Sequence, residues 1–323
     1  MRLIDGACVY SRRLPPRWGR LVREAGKVVF NYRGFRPAAR RGFTYSRLSG
    51  KSRLVLAPFG DGELLVDTSD QELGRLVFMT GGYERIYMEH ALRYLEEVGA
   101  SPPPGSTFVD IGANIGTSTL DAILHFGFTR AVSFEPEAAS HRLLKLNLVL
   151  NGVEDRVDAH RLALSDHDGV GVLRLSQDNL ADHRVEEPTV SGDAAIAGSV
   201  QQIECGRLDS LVLAGKPPLD EIGLVWIDAQ GHELFVLRGA EQVTRAGVPV
   251  VMEYWPTGLA ANGSAEALGT LLADNYDVAI DLHRLAHGLR NEAILPTAAL
   301  ADLHRRYPDG HTDLLLLADR YRR

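Results

Sequence analysis

Acidic residues end five of the apolar segments in this chain, and acids at such places could bind or activate a ligand. The five are Asp110, Glu135, Asp166, Asp228 and Glu253. Ligands of parallel sheets bind beyond the carboxyl ends of the strands, so these side chains would meet at one edge if the segments are neighbouring strands. Five carboxylates are more than packing requires. The pattern therefore indicates a binding or catalytic edge.

The segment Thr107–Gly116, TFVDIGANIG, narrows the choice of ligand. It is typical of a strand that ends near Asp110 and turns directly into a helix. A dinucleotide site needs G-x-G-x-x-G, whose glycines let the backbone approach a pyrophosphate, whereas Gly112 and Gly116 are four residues apart. The Asp110 carboxylate would also repel a pyrophosphate. A ligand with an amino group and no phosphate, such as S-adenosylmethionine, fits better.

Glu135 is a second indication of this ligand. It lies nineteen residues after Gly116, at the end of the next apolar segment, and Pro136 follows it. An acid at this place in nucleotide-binding sheets accepts hydrogen bonds from the ribose hydroxyls. Either acid alone could instead be a helix cap or a first-turn charge, but the two together at this spacing favour S-adenosylmethionine.

Asp228, His232 and Glu253 are the candidates for catalysis. An aliphatic hydroxyl holds its proton about as firmly as bulk water, with a pKa of about 15.7, so methyl transfer to it needs a base or a metal. Asp228 and Glu253 end strands that we expect to be neighbours, where they could act as base and supporting acid or bind Mg²⁺. His232 begins a predicted helix, whose dipole favours a neutral imidazole base. The alternative for His232 is a surface residue in the first turn.

Alternating apolar strands and amphipathic helices position these residues. The β-α repeats predict a doubly wound α/β fold with a mostly parallel seven-stranded sheet, whose last strand is antiparallel. The predicted strands are 107–111, 131–135, 157–164, 223–228, 248–254, 276–282 and 313–318, and the predicted helices are 83–98, 115–126, 138–151, 232–246 and 264–274. For residues 168–200 we expect a hairpin and a mobile loop.

The proline run Pro102–Pro104 divides the chain into two predicted domains. Residues 1–100 would form an α+β extension that contains a hairpin around Gly60–Gly62, and residues 101–323 would form the ligand-binding domain.

The extension begins with a strongly basic arm. Residues 1–53 contain fourteen basic and two acidic residues, a net charge of +12, whereas the other 270 residues carry 21 bases and 40 acids, a net charge of −19. Apolar residues within the arm predict that it folds against the body or a second subunit. Its arginines could then hold an anionic acceptor such as a nucleotide sugar, or they could only neutralise acidic surface.

The composition is ordinary for a soluble globular protein. No apolar run approaches the roughly 20 residues of a membrane span. The two cysteines, Cys8 and Cys205, lie far apart and have no metal-ligand spacing. We therefore expect a cytoplasmic protein.

Five blocks of this sequence resemble the FkbM-type methyltransferases. They are DIGANIG at 110–116, FEPE at 134–137, LNLVLNG at 146–152, ALSD at 163–166 and WIDAQGHELFVLRGA at 226–240. The resemblance implies a class I S-adenosylmethionine-dependent fold and O-methyl transfer to a hydroxyl of a sugar, glycosylated or polyketide-type small molecule.

The resemblance also implies which residues bind the cofactor. Residues 81–90, GGYERIYMEH, resemble a family segment that closes over the methionine end. The implied cofactor-binding residues are Tyr83, Glu84, Asp110, Gly112, Ala113, Asn114, Gly116, Thr117, Glu135, Pro136, Ser165 and Asp166.

Two rival functions remain at this stage. The basic arm would suit a nucleic-acid methyltransferase, but the turn Asp228–Gly231 lacks the Asn/Asp-Pro-Pro-aromatic sequence that is usual for methylation of base amines. A catalytically silent cofactor-binding module is the other rival. Its weakness is that a binding module has no need of a complete cofactor site.

Overall fold

A computed structural model describes residues 37–49, 51–176, 182–186, 200–297, 300–308 and 310–318. Most of the basic arm, residues 1–36, lies outside the described residues, so its predicted docking stays a prediction. In the part of the chain that the structure describes, no helix has the length and apolar character that crossing a membrane requires.

A central sheet of eight strands carries the site. Its strands in spatial order are β13 (Ile294–Pro296), β12 (Val278–Asp281), β14 (Thr312–Leu317), β11 (Val250–Tyr254), β10 (Ile222–Ile227), β3 (Thr107–Ile111), β4 (Arg130–Phe134) and β5 (Val157–His160). The five strands from β11 to β5 are mutually parallel, and β14 runs antiparallel to both of its neighbours. The predicted doubly wound sheet with an antiparallel last strand is confirmed, with one short edge strand, β13, in addition.

Helices cover both faces of this sheet, because the central strands are buried on both sides. One apolar core contains residues of α3 (Arg85–Glu97), α4 (Thr117–Leu124), α5 (Ala138–Leu150), α11 (Leu282–Ala286) and α12 (Arg290–Ala293). The core on the other face contains residues of α6 (Leu208–Leu213), α7 (Glu233–Arg238), α8 (Glu241–Arg245), α9 (Pro256–Ala261), α10 (Ala265–Asn275) and α13 (Ala301–Arg306).

The helix predicted over residues 232–246 is in fact two helices, α7 and α8. The Asp209 carboxylate accepts hydrogen bonds from the backbone N–H groups of Glu241 and Gln242, so it caps the second helix and interrupts the first. At the break, a Cβ atom on Gly239 would lie 1.9 Å from the carbonyl oxygen of Ser165. The close approach of these two segments therefore decides where the helix ends.

A second, smaller sheet lies beside the central one. Its four strands are, in spatial order, β6 (Ala163–Leu164), β9 (Val200–Gly206), β7 (Gly169–Arg174) and β8 (Arg184–Glu186). The predicted strand 157–164 is thus wrong as one element, because its last residues pair with Cys205 and Gly206 in this sheet. The predicted hairpin is β7–β8, and the expected loop at 187–199 lies outside the described residues.

The described part of the N-terminal extension packs directly on the central sheet. It contains α1 (Pro37–Leu48), the antiparallel hairpin of β1 (Leu54–Phe59) and β2 (Gly62–Asp67), α2 (Leu73–Thr80) and α3. The predicted hairpin and the predicted helix 83–98 are confirmed. The hairpin and α3 share one apolar core with β3, α4 and α5. The division of the chain after residue 100 stays a prediction.

Asn147 fastens the hairpin to the turn that follows β3. Its side chain is fully buried. Its amide oxygen accepts a hydrogen bond from the backbone N–H of Leu65 at 2.7 Å, and its amide nitrogen donates to the carbonyl oxygens of Leu65 and Ile115 at 3.2 and 2.9 Å. One side chain therefore joins α5, β2 and the loop between β3 and α4.

We expect Asn147→Ala to lower the free energy of unfolding by about 2–4 kcal/mol, because it leaves buried backbone groups without partners. Urea denaturation measures this change. Lys145→Ala, an exposed substitution in the same helix, is the matched control and should change stability by less than about 0.5 kcal/mol. Equal stability of the two variants would contradict the fastening role.

Candidate functional site

A cavity opens at the carboxyl ends of β3, β4 and β10. Among the predicted site residues, its wall contains Gly112, Asn114, Glu135, Pro136, Asp228 and His232. Residues 162–164 and the strands β7 and β8 of the second sheet supply the opposite wall. The cavity thus lies at the carboxyl ends of three strands that carry predicted site residues, and the structure brings these six residues together.

The turn after β3 needs glycine at Gly112. Its φ angle is +86°, and a Cβ atom there would lie 1.8 Å from the carbonyl oxygen of Asp228. The backbone N–H groups of Gly112 and Ala113 both donate to the carbonyl oxygen of Phe134 at 3.0 Å. The turn is therefore held between the ends of β10 and β4, with its backbone at the cavity.

Glu135 is a buried acid in the cavity wall. One carboxylate oxygen accepts a hydrogen bond from the N–H of Asn114 at 2.9 Å, and the other accepts from the N–H of Glu137 at 2.7 Å. Burial raises the pKa of Glu135 to about 8, although these two hydrogen bonds oppose the rise. The carboxyl group is thus fixed at the lip of the cavity.

Asp110 is not among the residues that line this cavity, and its predicted contact with the ligand stays a prediction. It lies one residue before the end of β3, and because side chains alternate along a strand, it faces α4 while Ile111 faces the cavity. It is 1% exposed, and the Thr119 hydroxyl donates to its carboxylate at 2.5 Å. Burial raises the pKa of Asp110 to about 7. Asp110 therefore fastens α4 to the sheet.

Five other predicted cofactor residues are not among those that line the cavity. Ala113, Gly116 and Thr117 form the buried turn and the first residue of α4. Ser165 is buried behind His232, and Asp166, next to it, contacts His167 through a carboxylate oxygen 3.0 Å from the imidazole Nδ1.

His232 is a buried wall residue and not a surface residue. It is 1% exposed, its Nε2 lies 2.9 Å from the Ser165 hydroxyl, and its ring stacks on Phe235 at 4.6 Å. No hydrogen-bond partner among the described residues reaches its Nδ1. Burial lowers the pKa of His232 to about 4. The imidazole is therefore neutral near pH 7, as the sequence predicted.

Three acids form a row across adjacent strands, which we call the acidic row: Asp228 after β10, Glu253 in β11 and Asp313 in β14. Glu253 and Asp313 are register partners. The Gln230 amide donates to Asp228 at 2.6 Å and to Glu253 at 3.1 Å. The prediction that Asp228 and Glu253 lie side by side is confirmed.

Burial and mutual repulsion raise the pKa values of acids in the acidic row. Burial raises the pKa of Asp228 to about 6 and raises that of Glu253 well above its usual range, and in Glu253 the neighbouring charge of Asp228 adds to the rise. Like charges so close cannot all ionise at neutral pH. The row therefore favours the protonated form of Glu253, whose pKa is raised by burial and by the charge of Asp228.

Tyr83 and Glu84 lie at the start of α3, against this row. Glu84 has a left-handed backbone, with a φ angle of +55°. Burial, followed by the charges of Asp313 and Asp228, raises the pKa of Glu84 well above its usual range. The structure thus brings two predicted cofactor residues to the acidic row rather than to the cavity wall.

Asp313 is a site residue that the sequence reasoning missed. Asp313 begins the last apolar strand, so an acid beside an apolar run was visible in the sequence. Whether this acid joins the other strand-end acids depended on where that strand inserts in the sheet. For a metal, the described ranges contain no group of three or more His, Cys, Asp or Glu side chains that could hold one.

Part of this chain is similar in sequence to known methyltransferases. Residues 110–258 match the sequence profile of the methyltransferase FkbM domain. "Methyltransferase sdnD" of Sordaria araneosa is 29% identical over 202 residues, which are 55% of this chain and 75% of that protein. "Methyltransferase 1" of Beauveria bassiana is 28% identical over 151 residues, which are 43% of this chain and 60% of that protein.

Among solved structures, methyltransferase FkbM from Methylobacillus flagellatus is 16% identical to this chain. The alignment covers 86% of this chain and 59% of that one, with a TM-score of 0.34.

The raised pKa of Asp228 predicts a pH-dependent stability. The folded state holds the proton of this acid up to about pH 6, whereas an unfolded Asp loses it near pH 3.9. Ionisation therefore costs stability as the pH rises through this window, by up to about 3 kcal/mol. We expect Asp228→Asn to raise the free energy of unfolding by up to that amount at pH 8, and by less as the pH falls below about 6.

Urea denaturation at several pH values measures this effect. Asp158→Asn, an exposed substitution in β5, is the control and should show no such pH-dependent gain. A gain that grows as the pH falls would contradict the inferred titration.

Proposed function

Because residues 110–258 match the methyltransferase FkbM domain, a family of S-adenosylmethionine-dependent methyltransferases, we propose that this chain transfers the methyl group of S-adenosylmethionine to a hydroxyl of a sugar, glycosylated or polyketide-type small molecule. The observation that carries the proposal is the Gln230 bridge, which holds Asp228 and Glu253 together beside the cavity. In this proposal Asp228 faces the cofactor and a hydroxyl binds beside Glu253, so the bridge links the two binding places.

The cavity offers unpaired polar atoms to an adenosine group. The Asn114 side-chain oxygen and the His232 Nδ1 are buried and have no partner among the described residues. Buried polar atoms normally have hydrogen-bond partners, so these atoms favour a polar ligand in the cavity. Glu135, fixed at the lip, can accept hydrogen bonds from the ribose hydroxyls. The residues present therefore fit the cofactor.

Asp228 suits the positively charged methionine half of the cofactor. When bound, S-adenosylmethionine supplies an electrophilic methyl group on a sulfonium. Asp228 is the member of the acidic row that lines the cavity, and its carboxylate can pair with an ammonium or a sulfonium. In this proposal it takes the place that the sequence assigned to Asp110. A cation so near also lowers the proton affinity of Asp228.

Glu253 lies one strand further from the cavity, about 4.8 Å across the sheet. A hydroxyl bound there lies beside the methionine end, where in-line attack on a methyl group requires it. Either form of the Glu253 carboxyl group can hydrogen-bond to the acceptor hydroxyl and orient it. We assign acceptor positioning to Glu253.

His232 suits the cofactor wall better than proton transfer. A pKa of about 4 makes its imidazole a weak base toward an aliphatic hydroxyl. Its contact with Ser165 and its free Nδ1 instead suit hydrogen bonding to the cofactor. Mg²⁺ at Asp228 and Glu253 is the alternative activator. Proton transfer by side chains predicts that EDTA leaves methyl transfer unchanged, and loss of activity restored by Mg²⁺ would favour the metal.

We expect Glu135→Gln to weaken binding of S-adenosylhomocysteine at least about tenfold, equal to 1.4 kcal/mol, because the amide cannot accept hydrogen bonds on both of its ends. Isothermal titration calorimetry measures the affinity. Asp158→Asn serves as the control and should bind as the unmodified protein does. Wild-type affinity in a folded Glu135→Gln protein would remove Glu135 from the cofactor site.

We expect Glu253→Ala to slow methyl transfer about 10²-fold while the affinity for S-adenosylhomocysteine changes less than threefold, because the residue orients the acceptor and not the cofactor. The assay follows tritium from methyl-labelled S-adenosylmethionine into methyl glucoside, UDP-glucose and a glycosylated macrolide, with products identified by mass spectrometry. Glu266→Ala, an exposed substitution in α10, is the control. Label recovered only in amines, esters or RNA would refute hydroxyl methylation.

A further inference from the structure

A histidine and a buried aspartate form a pair at the far end of the acidic row. His283 Nε2 lies 3.1 Å from a carboxylate oxygen of Asp313, which is 4% exposed. The His283 ring stacks on Tyr87 of α3, with centroids 4.2 Å apart and planes at 15°. The ring is therefore held from one side by an aromatic face and at one nitrogen by a carboxylate. Both residues lie outside the segment 110–258 that matches the methyltransferase domain.

The pair lies at the end of the acidic row that is away from the cofactor cavity, where the proposed function places the acceptor. The cofactor cavity occupies the ends of β3, β4 and β10. Asp313 is the register partner of Glu253 in the next strand but one from β10, about 10 Å from it at the usual strand spacing. In the proposed reaction the acceptor would lie between the cavity and His283. The acceptor oxygen would then face the histidine.

The acids of the site are poorly suited to remove the hydroxyl proton. Burial and neighbouring charges raise the pKa values of Glu84 and Glu253 well above their usual range, which favours their protonated forms. Asp228 is ionised, but a bound cationic cofactor would weaken it as a base. His283 is different, because an imidazole that gains a proton becomes a cation, and the neighbouring Asp313 carboxylate stabilises that cation.

The other charges around α11 are largely paired elsewhere. His311, which precedes β14, meets the His283 ring edge-on at 5.6 Å, and on its own helix the Nδ1 of His287 lies 2.6 Å from the His283 carbonyl oxygen. The charged groups of the adjoining elements pair among themselves, as Arg284 with Asp281 and Glu292, and Arg290 with Glu97. Asp313 is therefore the acid within hydrogen-bond distance of the ring, with His311 and Glu84 as the other titratable groups close to the pair.

We propose that His283 is the catalytic base that takes the proton of the acceptor hydroxyl on its Nδ1, and that Asp313 is the positioning residue that holds its Nε2. None of the described residues hydrogen-bonds to this Nδ1, so it is free for the acceptor. The inference rests on the proposed function. As the acceptor oxygen bonds to the methyl carbon, the carbon–sulfur bond breaks and sulfur keeps its electron pair. The hydroxyl proton moves to Nδ1 and later to solvent.

Glycerol is the probe acceptor, because it is a small aliphatic polyol. We expect His283→Gln to lower kcat/KM for methyl transfer to glycerol at least about 10²-fold, with affinity for S-adenosylhomocysteine changed less than threefold. In Asp313→Asn, kcat for glycerol should fall while KM for glycerol changes less than threefold, because the imidazole loses the carboxylate that holds its Nε2. His304→Gln, exposed on α13, is the control and should match the wild type.

Three results would overturn the assignment or its premise, and they are distinguishable. Undiminished glycerol methylation in His283→Gln overturns the base while hydroxyl methylation stands. An unchanged kcat in a folded Asp313→Asn variant overturns the positioning role. Transfer of label only to added amines, never to a hydroxyl, overturns the proposed function itself.

A nuclear magnetic resonance titration decides the case in which glycerol binds but is not methylated. The His283 ring signal, identified by its loss in His283→Gln, should shift when glycerol is added to the protein saturated with S-adenosylhomocysteine, and the His304 signal should not. A His283 signal that does not respond to glycerol would overturn the proposal.

Discussion

The site depends on the contact between the backbone at Gly112 and the carbonyl oxygen of Asp228. A Cβ atom at Gly112 would lie 1.8 Å from that oxygen, so only glycine lets the turn after β3 close on the end of β10. The N–H of Asp228 donates in return to the carbonyl oxygen of Ile111 at 2.9 Å. These contacts bring the cofactor turn and the acidic row to one edge, and every other distance in the site follows from them.

The acids of the acidic row lower the stability of the protein when no ligand is bound, because their ionised forms are disfavoured in the folded state. Asp228, Glu253 and Glu84 are buried beside one another, and each has a raised pKa because its ionised form is poorly solvated and repelled. Strain of this kind is common where a protein binds a charged ligand. A cationic cofactor would relieve it, so ligand binding and stability are coupled at this edge.

The N-terminal extension contributes to the same edge through two separate contacts. Asn147 ties the hairpin to the loop between β3 and α4, which supports the cofactor turn from below. The start of α3 brings Tyr83 and Glu84 against the acidic row, and Tyr87 stacks on His283. The extension thus contacts the acidic row directly, although the sequence profile of the domain begins after it.

The sequence by itself determined the features that depend on one segment at a time. Continuous apolar runs, the glycines after β3 and the acids at strand ends were enough to predict the parallel sheet, the Glu135 wall and the pair of Asp228 and Glu253. Features that depend on contacts between residues distant in the chain were decided only by the tertiary structure. Packing against Ser165 divided the predicted helix at Gly239, and side-chain alternation turned Asp110 away from the cavity. Because β14 inserts between β11 and β12, Asp313 and His283 join the site, and no local pattern can specify which strands become adjacent.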